Sequence, residues 1–222
     1  MISVAIDGPA GAGKSTLARQ LARDLGYIYV DTGAMYRAVG LYALRAGIDP
    51  ADQAGVEALL PHIRLRLAVL DGQQHIYLNE EDVSGLIRTE QVGMAASAVG
   101  ANPTVRAFLL DLQRNMAKTG NILMDGRDIG TVILPDATVK IFLTASPEAR
   151  ARRRWLEYQA AGRPDSYEAV LADVIQRDEQ DSGRAAAPLR RAADAVLLDT
   201  SAMDLAQSLA AMKQIIKERV GE

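Results

Sequence analysis

A glycine-rich stretch near the start of the chain has the residue types and the spacing that bind the phosphates of a nucleotide. Gly8 is followed, after four further residues, by Gly13, Lys14 and Ser15. Glycines allow the backbone to approach an anion closely, and N–H groups that converge on one point bind phosphate oxygens. In this pattern the lysine contacts the β- and γ-phosphates, and the serine hydroxyl ligates Mg²⁺. We therefore predict a nucleoside triphosphate site in the phosphate-binding loop, which consists of Gly8, Pro9, Ala10, Gly11, Ala12, Gly13, Lys14, Ser15 and Thr16.

The residues on both sides of the phosphate-binding loop support this interpretation. Residues 2–6 form an apolar run that predicts a buried strand, and Leu17, Leu21 and Leu25 recur at the spacing of one helix face. The nucleotide-binding pattern requires this strand–loop–helix setting. A tight turn that happens to contain a lysine is the competing interpretation, and the setting disfavours it. The loop alone does not identify the group that receives the phosphate.

A second cluster of charged residues begins at the end of the apolar run at residues 121–125. It contains Asp125, Arg127 and Asp128, with glycine at 126 and at 130. In open parallel sheets, ligands bind at the carboxyl ends of the strands. We therefore interpret this cluster as functional rather than structural, and we expect Asp125 to contact Mg²⁺ through a water molecule.

Arginines are prominent at two other places. A helix predicted to begin near Ala34 carries Arg37 in its first turn, where the helix dipole disfavours a cation. Arg37 is either a solvated surface residue or a residue held ready for an anion, and the sequence does not decide between them. Residues 150–191 include many arginines, among them Arg177 and Arg184. A salt-bridged surface is one interpretation; a mobile cover over a phosphate site is favoured, because arginine suits planar contact with phosphate better than lysine.

Strands alternate with helices along the chain, which predicts an α/β fold with a doubly wound parallel sheet. The five predicted core strands lie near residues 2–7, 28–30, 121–125, 138–143 and 195–199. Residues 63–78 instead alternate between apolar and polar around the turn signal Asp71–Gly72. This pattern predicts a small β-hairpin insert, with a third short strand near Val83.

The bulk properties exclude several classes of protein. A net charge of −3, with 24% charged residues, gives no basic surplus for nucleic-acid binding. Cysteine is absent, so no disulfide or cysteine-based metal site is expected, and His62 and His75 stand apart in the sequence. No apolar run in the sequence approaches the length of a membrane span, and we expect no signal peptide before the first strand. We expect a cytoplasmic protein that binds neither nucleic acid nor membrane and acts as a monomer.

Six sequence motifs together resemble one family, the bacterial cytidylate kinases. In order, they are A-I-D-G-P-A-G-A-G-K-S-T, D-T-G-A-M-Y-R, E-D-V-S-G-L-I-R-T-E, A-A-S, D-G-R-D-I-G-T-V-I-L-P-D-A and R-A-A-A-P-L, between Val4 and Leu189. The first motif alone indicates only a phosphate-binding loop; the fifth, with the hairpin insert before it, is far more specific. The resemblance implies transfer of the γ-phosphoryl group of ATP to CMP or dCMP, with Mg²⁺ as cofactor and direct attack by the acceptor phosphate.

The resemblance also implies an organisation in three parts. The core comprises about residues 1–34, 103–149 and 192–222; a part that binds the nucleoside monophosphate and carries the insert spans about 35–102; and a helical lid spans about 150–191.

The resemblance assigns roles to individual residues as well. The residues expected to recognise cytosine are Ser97, Arg106 and Asp128. Those expected to hold the acceptor phosphate are Arg37, Arg127 and Arg184. Those expected near the sugar are Thr32, Tyr36, Arg177 and Asp181. The catalytic residues implied are Lys14, Arg127, Arg177 and Arg184, and the implied magnesium ligand is Ser15.

Other functions stay open on the sequence alone. A kinase with the same loop could act on another nucleoside monophosphate or on a small metabolite such as shikimate or gluconate. A regulatory GTPase is disfavoured because the chain lacks an N-K-x-D motif for guanine. A structural protein without turnover is disfavoured by the intact Lys14 and Ser15. Turnover with a panel of acceptors would distinguish these functions.

Overall fold

The computed structural model describes residues 1–70, 73–185 and 187–221. The elements follow in the order β1 (Ser3–Asp7), α1 (Lys14–Leu25), β2 (Ile28–Asp31), α2 (Thr32–Arg45), α3 (Gln53–Leu59), β3 (Leu65–Leu70), β4 (Gln73–Leu78), β5 (Glu81–Asp82), α4 (Glu90–Gly100), α5 (Pro103–Met116), β6 (Ile122–Gly126), β7 (Val139–Thr144), α6 (Pro147–Ala160), α7 (Tyr167–Gly183), β8 (Val196–Asp199) and α8 (Leu205–Val220). The chain divides into two compact units, Met1–Ile28 with Gly120–Glu222, and Tyr29–Thr119. The predicted three-part boundaries stay a prediction.

The central sheet has five strands in the order β2-β6-β1-β7-β8. β1 runs parallel to both β6 and β7, and β7 runs parallel to β8. Val4, Ala5 and Ile6 in β1 are fully buried, as expected for a strand covered on both faces. The predicted fold class, a parallel five-stranded sheet flanked by helices, is confirmed.

Helices α6 and α7 lie largely within residues 150–191, the region predicted to form a lid. Helices α6 and α7 bury a small apolar cluster of Ala151, Val170 and Val174, with Trp155 and Tyr167 against it. Small and aromatic side chains supply these contacts, and the role of the region as a lid stays a prediction. Because α7 extends to Gly183, both Arg177 and Asp181 lie on this helix.

The second unit contains the predicted insert, a three-stranded antiparallel sheet in the order β3-β4-β5. The turn signal Asp71–Gly72 lies outside the described residues. Gly40 lets α2 pack closely on α4, because a Cβ at this position would lie 3.0 Å from the Ala95 Cβ. In the described part of the chain, no helix combines the length and apolar character needed to cross a membrane.

Candidate active site

The phosphate-binding loop joins β1 to α1 in the first unit, as predicted. Gly8 has a φ of 153°, and a Cβ there would lie 1.9 Å from the carbonyl oxygen of Leu143. Gly13 caps α1 with a left-handed φ of 85° and offers no side chain to the first N–H groups of the helix. These N–H groups and the helix dipole together favour an anion at this end of α1.

Lys14 supplies the positive charge of the loop. Its side chain donates to the carbonyl oxygen of Pro9 at 2.7 Å, and the residue is only 6% exposed. Burial lowers the pKa of Lys14 well below its ordinary value, and the nearby Arg127 lowers it further, while Asp125, Asp181 and Asp7 oppose the shift. A phosphate beside the ammonium group would stabilise the charge that burial disfavours.

The two residues predicted to hold Mg²⁺ lie together. The hydroxyl of Ser15 donates to Asp125 Oδ2 at 2.8 Å, although the two residues are 110 positions apart in the chain. Magnesium favours oxygen ligands and is commonly bound by one or two protein oxygens, several waters and substrate phosphates. The hydroxyl and the carboxylate fit that preference.

Asp7, the last residue of β1, was not predicted as a site residue. Its carboxylate accepts hydrogen bonds from the N–H groups of Ile129 at 2.7 Å and Gly130 at 2.8 Å. Burial raises the pKa of Asp7 to about 6, even though these two hydrogen bonds act in the opposite direction. The carboxylate thus fixes the loop that follows β6 and carries Arg127 and Asp128. The only signal in the sequence was an acidic residue at the end of an apolar strand.

Charged residues expected to bind the acceptor meet at the end of β6. Arg127 Nε donates to Asp181 Oδ2 at 2.8 Å, and Arg184 Nη1 lies 3.7 Å from Asp181 Oδ1. Burial alone would raise the pKa of Asp181, but Arg127, Arg184 and Arg177 bring it below its ordinary value. The structure therefore brings together four residues that the sequence placed in the site.

Arg150 links α6 and α7 to the phosphate-binding loop, and the sequence did not single it out. It is 2% exposed and donates to the carbonyl oxygens of Ala10 at 3.1 Å and Ala145 at 2.8 Å. Its guanidinium also forms a two-pronged ion pair with Asp178 on α7, at 2.9 and 2.5 Å. One side chain therefore contacts the loop, α7 and the residue that follows β7.

In the second unit, Asp31 ends β2 and caps α2. Its Oδ1 accepts from the N–H of Ala34 at 3.1 Å, so the helix begins at Thr32 rather than near Ala34. Arg37 consequently lies in the second turn of α2, and the prediction that it lies in the first turn is wrong. Arg37 Nη1 is 3.6 Å from Asp31 Oδ2, so Arg37 is ion-paired rather than only solvated.

The other predicted acceptor residues divide between the two units. Thr32, Tyr36, Ser97 and Arg106 lie in the second unit, whereas Asp128 is buried in the first. Arg106 donates to the carbonyl oxygen of Gly100 at 3.0 Å, and its guanidinium carbon lies 5.4 Å from the ring centroid of Tyr36. The joint role of Ser97, Arg106 and Asp128 in base recognition stays a prediction.

Comparison with known proteins identifies the family. The model of the cytidylate kinase family matches residues 4–218. A cytidylate kinase from Mycobacterium leprae (strain Br4923) is 53% identical over 221 residues, which cover 99% of this chain and 97% of that protein. A cytidylate kinase from Citrifermentans bemidjiense is 49% identical over 222 residues, covering 100% of this chain and 95% of that protein.

One solved structure shares the fold at low sequence identity. It is an uncharacterized protein from Eubacterium ventriosum ATCC 27560, with a TM-score of 0.53, 13% identity, and coverage of 100% of this chain and 99% of that one. This likeness concerns the fold alone. The family match and the similarity to curated relatives extend over nearly the whole chain, and the protein therefore belongs to the cytidylate kinase family.

Proposed function

We propose that the protein transfers the γ-phosphoryl group of ATP to CMP or dCMP, giving ADP and CDP or dCDP. The observation that carries this proposal is the cytidylate kinase match over residues 4–218. Relatives near 50% identity along their full length have the same name, which supports ATP as donor and CMP as acceptor. The buried Lys14 and the arginines near Asp181 provide the charges that such a reaction needs.

The reaction needs no protein nucleophile. An oxygen of the acceptor phosphate attacks the γ-phosphorus in line, and the bond to the oxygen that bridges the β- and γ-phosphates breaks, so that ADP leaves. Catalysis then consists of alignment and of neutralising the charge on the transferred group. Lys14 neutralises the γ-phosphate from the loop, and Arg127, Arg177 and Arg184 act on the acceptor and the transferred phosphoryl group.

Ser15 and Asp125 would hold Mg²⁺, Asp125 through a water molecule. Bound there, the ion would supply further positive charge to the phosphates of ATP. The hydrogen bond between the two side chains supports this assignment, because it places two oxygen ligands of the preferred kind side by side.

Recognition of cytosine is assigned to Ser97, Arg106 and Asp128. Cytosine presents a donor at N4 and acceptors at N3 and O2. A carboxylate can accept from the N4 amino group, while a guanidinium donates to the acceptors. Uracil would place an oxygen against the carboxylate, and unpaired polar groups in a closed site discriminate strongly. Arg37, with Arg127 and Arg184, would hold the acceptor phosphate, and the residues near the sugar would be Thr32, Tyr36, Arg177 and Asp181.

The region 150–191 is assigned to a lid that excludes water during transfer. Exclusion of water prevents hydrolysis of ATP and strengthens the electrostatic interactions inside the site. The ion pair of Arg150 with Asp178 supports a direct coupling between α7 and the phosphate-binding loop. The further expectation of a cytoplasmic monomer stays a prediction.

Steady-state turnover with ATP and a panel of CMP, dCMP, UMP and AMP tests the proposed function. We expect efficient transfer to CMP and dCMP, weak transfer to UMP and AMP, and slow hydrolysis when no acceptor is present. Transfer to AMP at the rate seen with CMP would contradict the proposal. Equal ATP hydrolysis with and without acceptors would contradict any kinase function.

A further inference from the structure

The segment Leu86–Arg88 forms a short 3₁₀ turn before α4, and the E-D-V-S-G-L-I-R-T-E motif that contains it has no role in the function described above. Arg88 Nη1 donates to Asp31 Oδ2 at 3.3 Å. Arg37 Nη1 lies 3.6 Å from the same oxygen. Two guanidinium groups from separate elements of the second unit therefore meet at one carboxylate.

The combined charge of Asp31, Arg37 and Arg88 favours the binding of an anion. The Asp31 side chain is 6% exposed, whereas those of Arg88 and Arg37 are 48% and 30% exposed. Two cations and one carboxylate leave a positive charge uncompensated, and the exposed members of the group are the cations. The buried carboxylate holds the two guanidiniums near each other, although like charges repel.

The backbone around these side chains is held in place before any ligand binds. Gln74 pairs with the backbone of Asp31, accepting its N–H at 2.8 Å and donating to its carbonyl oxygen at 3.3 Å. Ile87, next to Arg88, is buried. A site whose groups are already ordered loses less entropy when a ligand binds.

We propose that Arg88 binds the phosphate of the acceptor nucleotide beside Arg37. The contact with Asp31 engages Nη1, and a guanidinium has five N–H donors in a planar fork that matches the oxygens of a phosphate dianion. Asp31 positions both arginines at the carboxyl end of β2, where ligands of parallel sheets bind. This inference rests on the proposed function, from which the role of Arg37 derives.

Steady-state kinetics of Arg88→Gln and Arg88→Lys test the proposal. Arg88→Gln should raise the KM for CMP roughly 10-fold or more, because a charge-assisted hydrogen bond to the phosphate is lost. The KM for ATP should change by less than about twofold. The inhibition constant of cytidine, which lacks the phosphate, should also stay within about twofold. The KM for CMP of Arg88→Lys should lie between those of Arg88→Gln and wild type, because lysine keeps the positive charge but lacks the planar set of N–H donors.

Arg45→Gln is the matched control. Arg45 lies in the second unit as well, but it pairs with Glu81 at the surface, through contacts of 2.6 and 2.9 Å. This variant should keep the wild-type KM for CMP.

Two results would overturn the inference. An unchanged KM for CMP in Arg88→Gln would show that Arg88 does not bind the phosphate. Equal weakening of cytidine and CMP would show that Arg88 only shapes the pocket. Wild-type enzyme that fails to use CMP would refute the proposed function itself, and this inference with it; normal wild-type turnover with an unaffected Arg88→Gln enzyme would refute the inference alone.

Discussion

The hydroxyl of Ser15 donates a hydrogen bond to the carboxylate of Asp125 across 2.8 Å, which joins the start of α1 to the end of β6. This contact joins a residue of the phosphate-binding loop to one near the end of a strand that lies much later in the chain. It defines the place where we expect Mg²⁺, and it gives the first prediction a geometric basis.

Ser15→Ala should shift the magnesium dependence of turnover to concentrations roughly 10-fold higher, because a direct oxygen ligand is removed. Ser15→Thr keeps the hydroxyl and should retain the wild-type dependence more closely. Asp125→Asn should produce a shift in the same direction. The measurement is initial velocity against Mg²⁺ concentration at fixed ATP. Full activity of wild type in excess chelator would exclude a metal requirement. An unchanged magnesium dependence in Asp125→Asn would show only that Asp125 does not contribute to the metal site.

Lys14→Met should abolish nearly all phosphoryl transfer, with kcat reduced by roughly 10²–10³-fold or more, because its charge acts on the γ-phosphate.

Lys14→Met should also raise the Tm of the nucleotide-free protein. Burial lowers the pKa of Lys14, so the charged form of this side chain destabilises the folded state at all pH values below the lowered pKa. A methionine of similar length removes that penalty. Turnover close to wild type would refute the loop as the ATP site, and a large fall in Tm would refute the burial argument.

The pH dependence of the free energy of unfolding should reveal the raised pKa of Asp7. Its pKa is raised from 3.8 to about 6, so the folded state holds the proton more tightly than the unfolded state. Protonation of Asp7 therefore stabilises the folded state by roughly 3 kcal/mol below pH 3.8, since one pKa unit equals about 1.4 kcal/mol, and this contribution is lost as the pH rises through about 6.

Comparison with Asp7→Asn isolates this effect, because the other carboxyl groups contribute equally to both proteins. The free energy of unfolding of wild type relative to Asp7→Asn should fall between about pH 4 and pH 7 and stay constant above about pH 7. Denaturant titrations at intervals of half a pH unit measure it. Parallel curves for the two proteins would show that Asp7 has an ordinary pKa.

The elements of the fold were predictable because their signals are local. Each core strand is a continuous apolar run, and the phosphate-binding loop is a contiguous pattern. The connections within the site are not local. Asp7 bonds to Ile129 across 122 residues, and Arg150 bonds to Ala10 across 140. No periodicity in the sequence reports such contacts. The sequence named Asp125, Arg127 and Asp181 as candidate site residues, and their roles stay a prediction, but it missed Asp7 and Arg150, which hold the elements around them.

The ion pair of Arg150 with Asp178 should stabilise the protein as well as align it. Asp178→Ala should lower the free energy of unfolding by about 3 kcal/mol, because it leaves a guanidinium in the interior without its carboxylate. Adding Arg150→Met should recover part of this loss, since no buried charge then remains. Asp173→Asn, an exposed position on the same helix, is the control and should be close to neutral. A double variant less stable than the sum of the single effects would contradict this account.

The preference for cytosine over uracil depends on one residue, because Asp128 must accept a hydrogen bond from the N4 amino group of cytosine. UMP would leave this carboxylate facing an oxygen and would turn the N3 hydrogen toward a donor. Each mispaired polar group should cost about 1–3 kcal/mol, so CMP and dCMP should exceed UMP by on the order of 10²-fold or more in kcat/KM. Asp128→Asn should weaken the use of CMP and narrow the gap to UMP, since an amide can donate to the O4 oxygen of uracil. Arg106→Ala should impair acceptor use while leaving ATP affinity unchanged.

The decisive quantity is the ratio of kcat/KM for CMP to that for UMP, in wild type and in Asp128→Asn. Asp136→Asn, which lies outside the residues assigned to the acceptor, serves as the control and should keep the wild-type ratio. A general loss of activity would lower both values equally and leave the ratio unchanged, whereas loss of base recognition changes the ratio itself. An unchanged ratio in Asp128→Asn would therefore mean that this carboxylate does not recognise the base and that the cytosine pocket lies elsewhere in the chain.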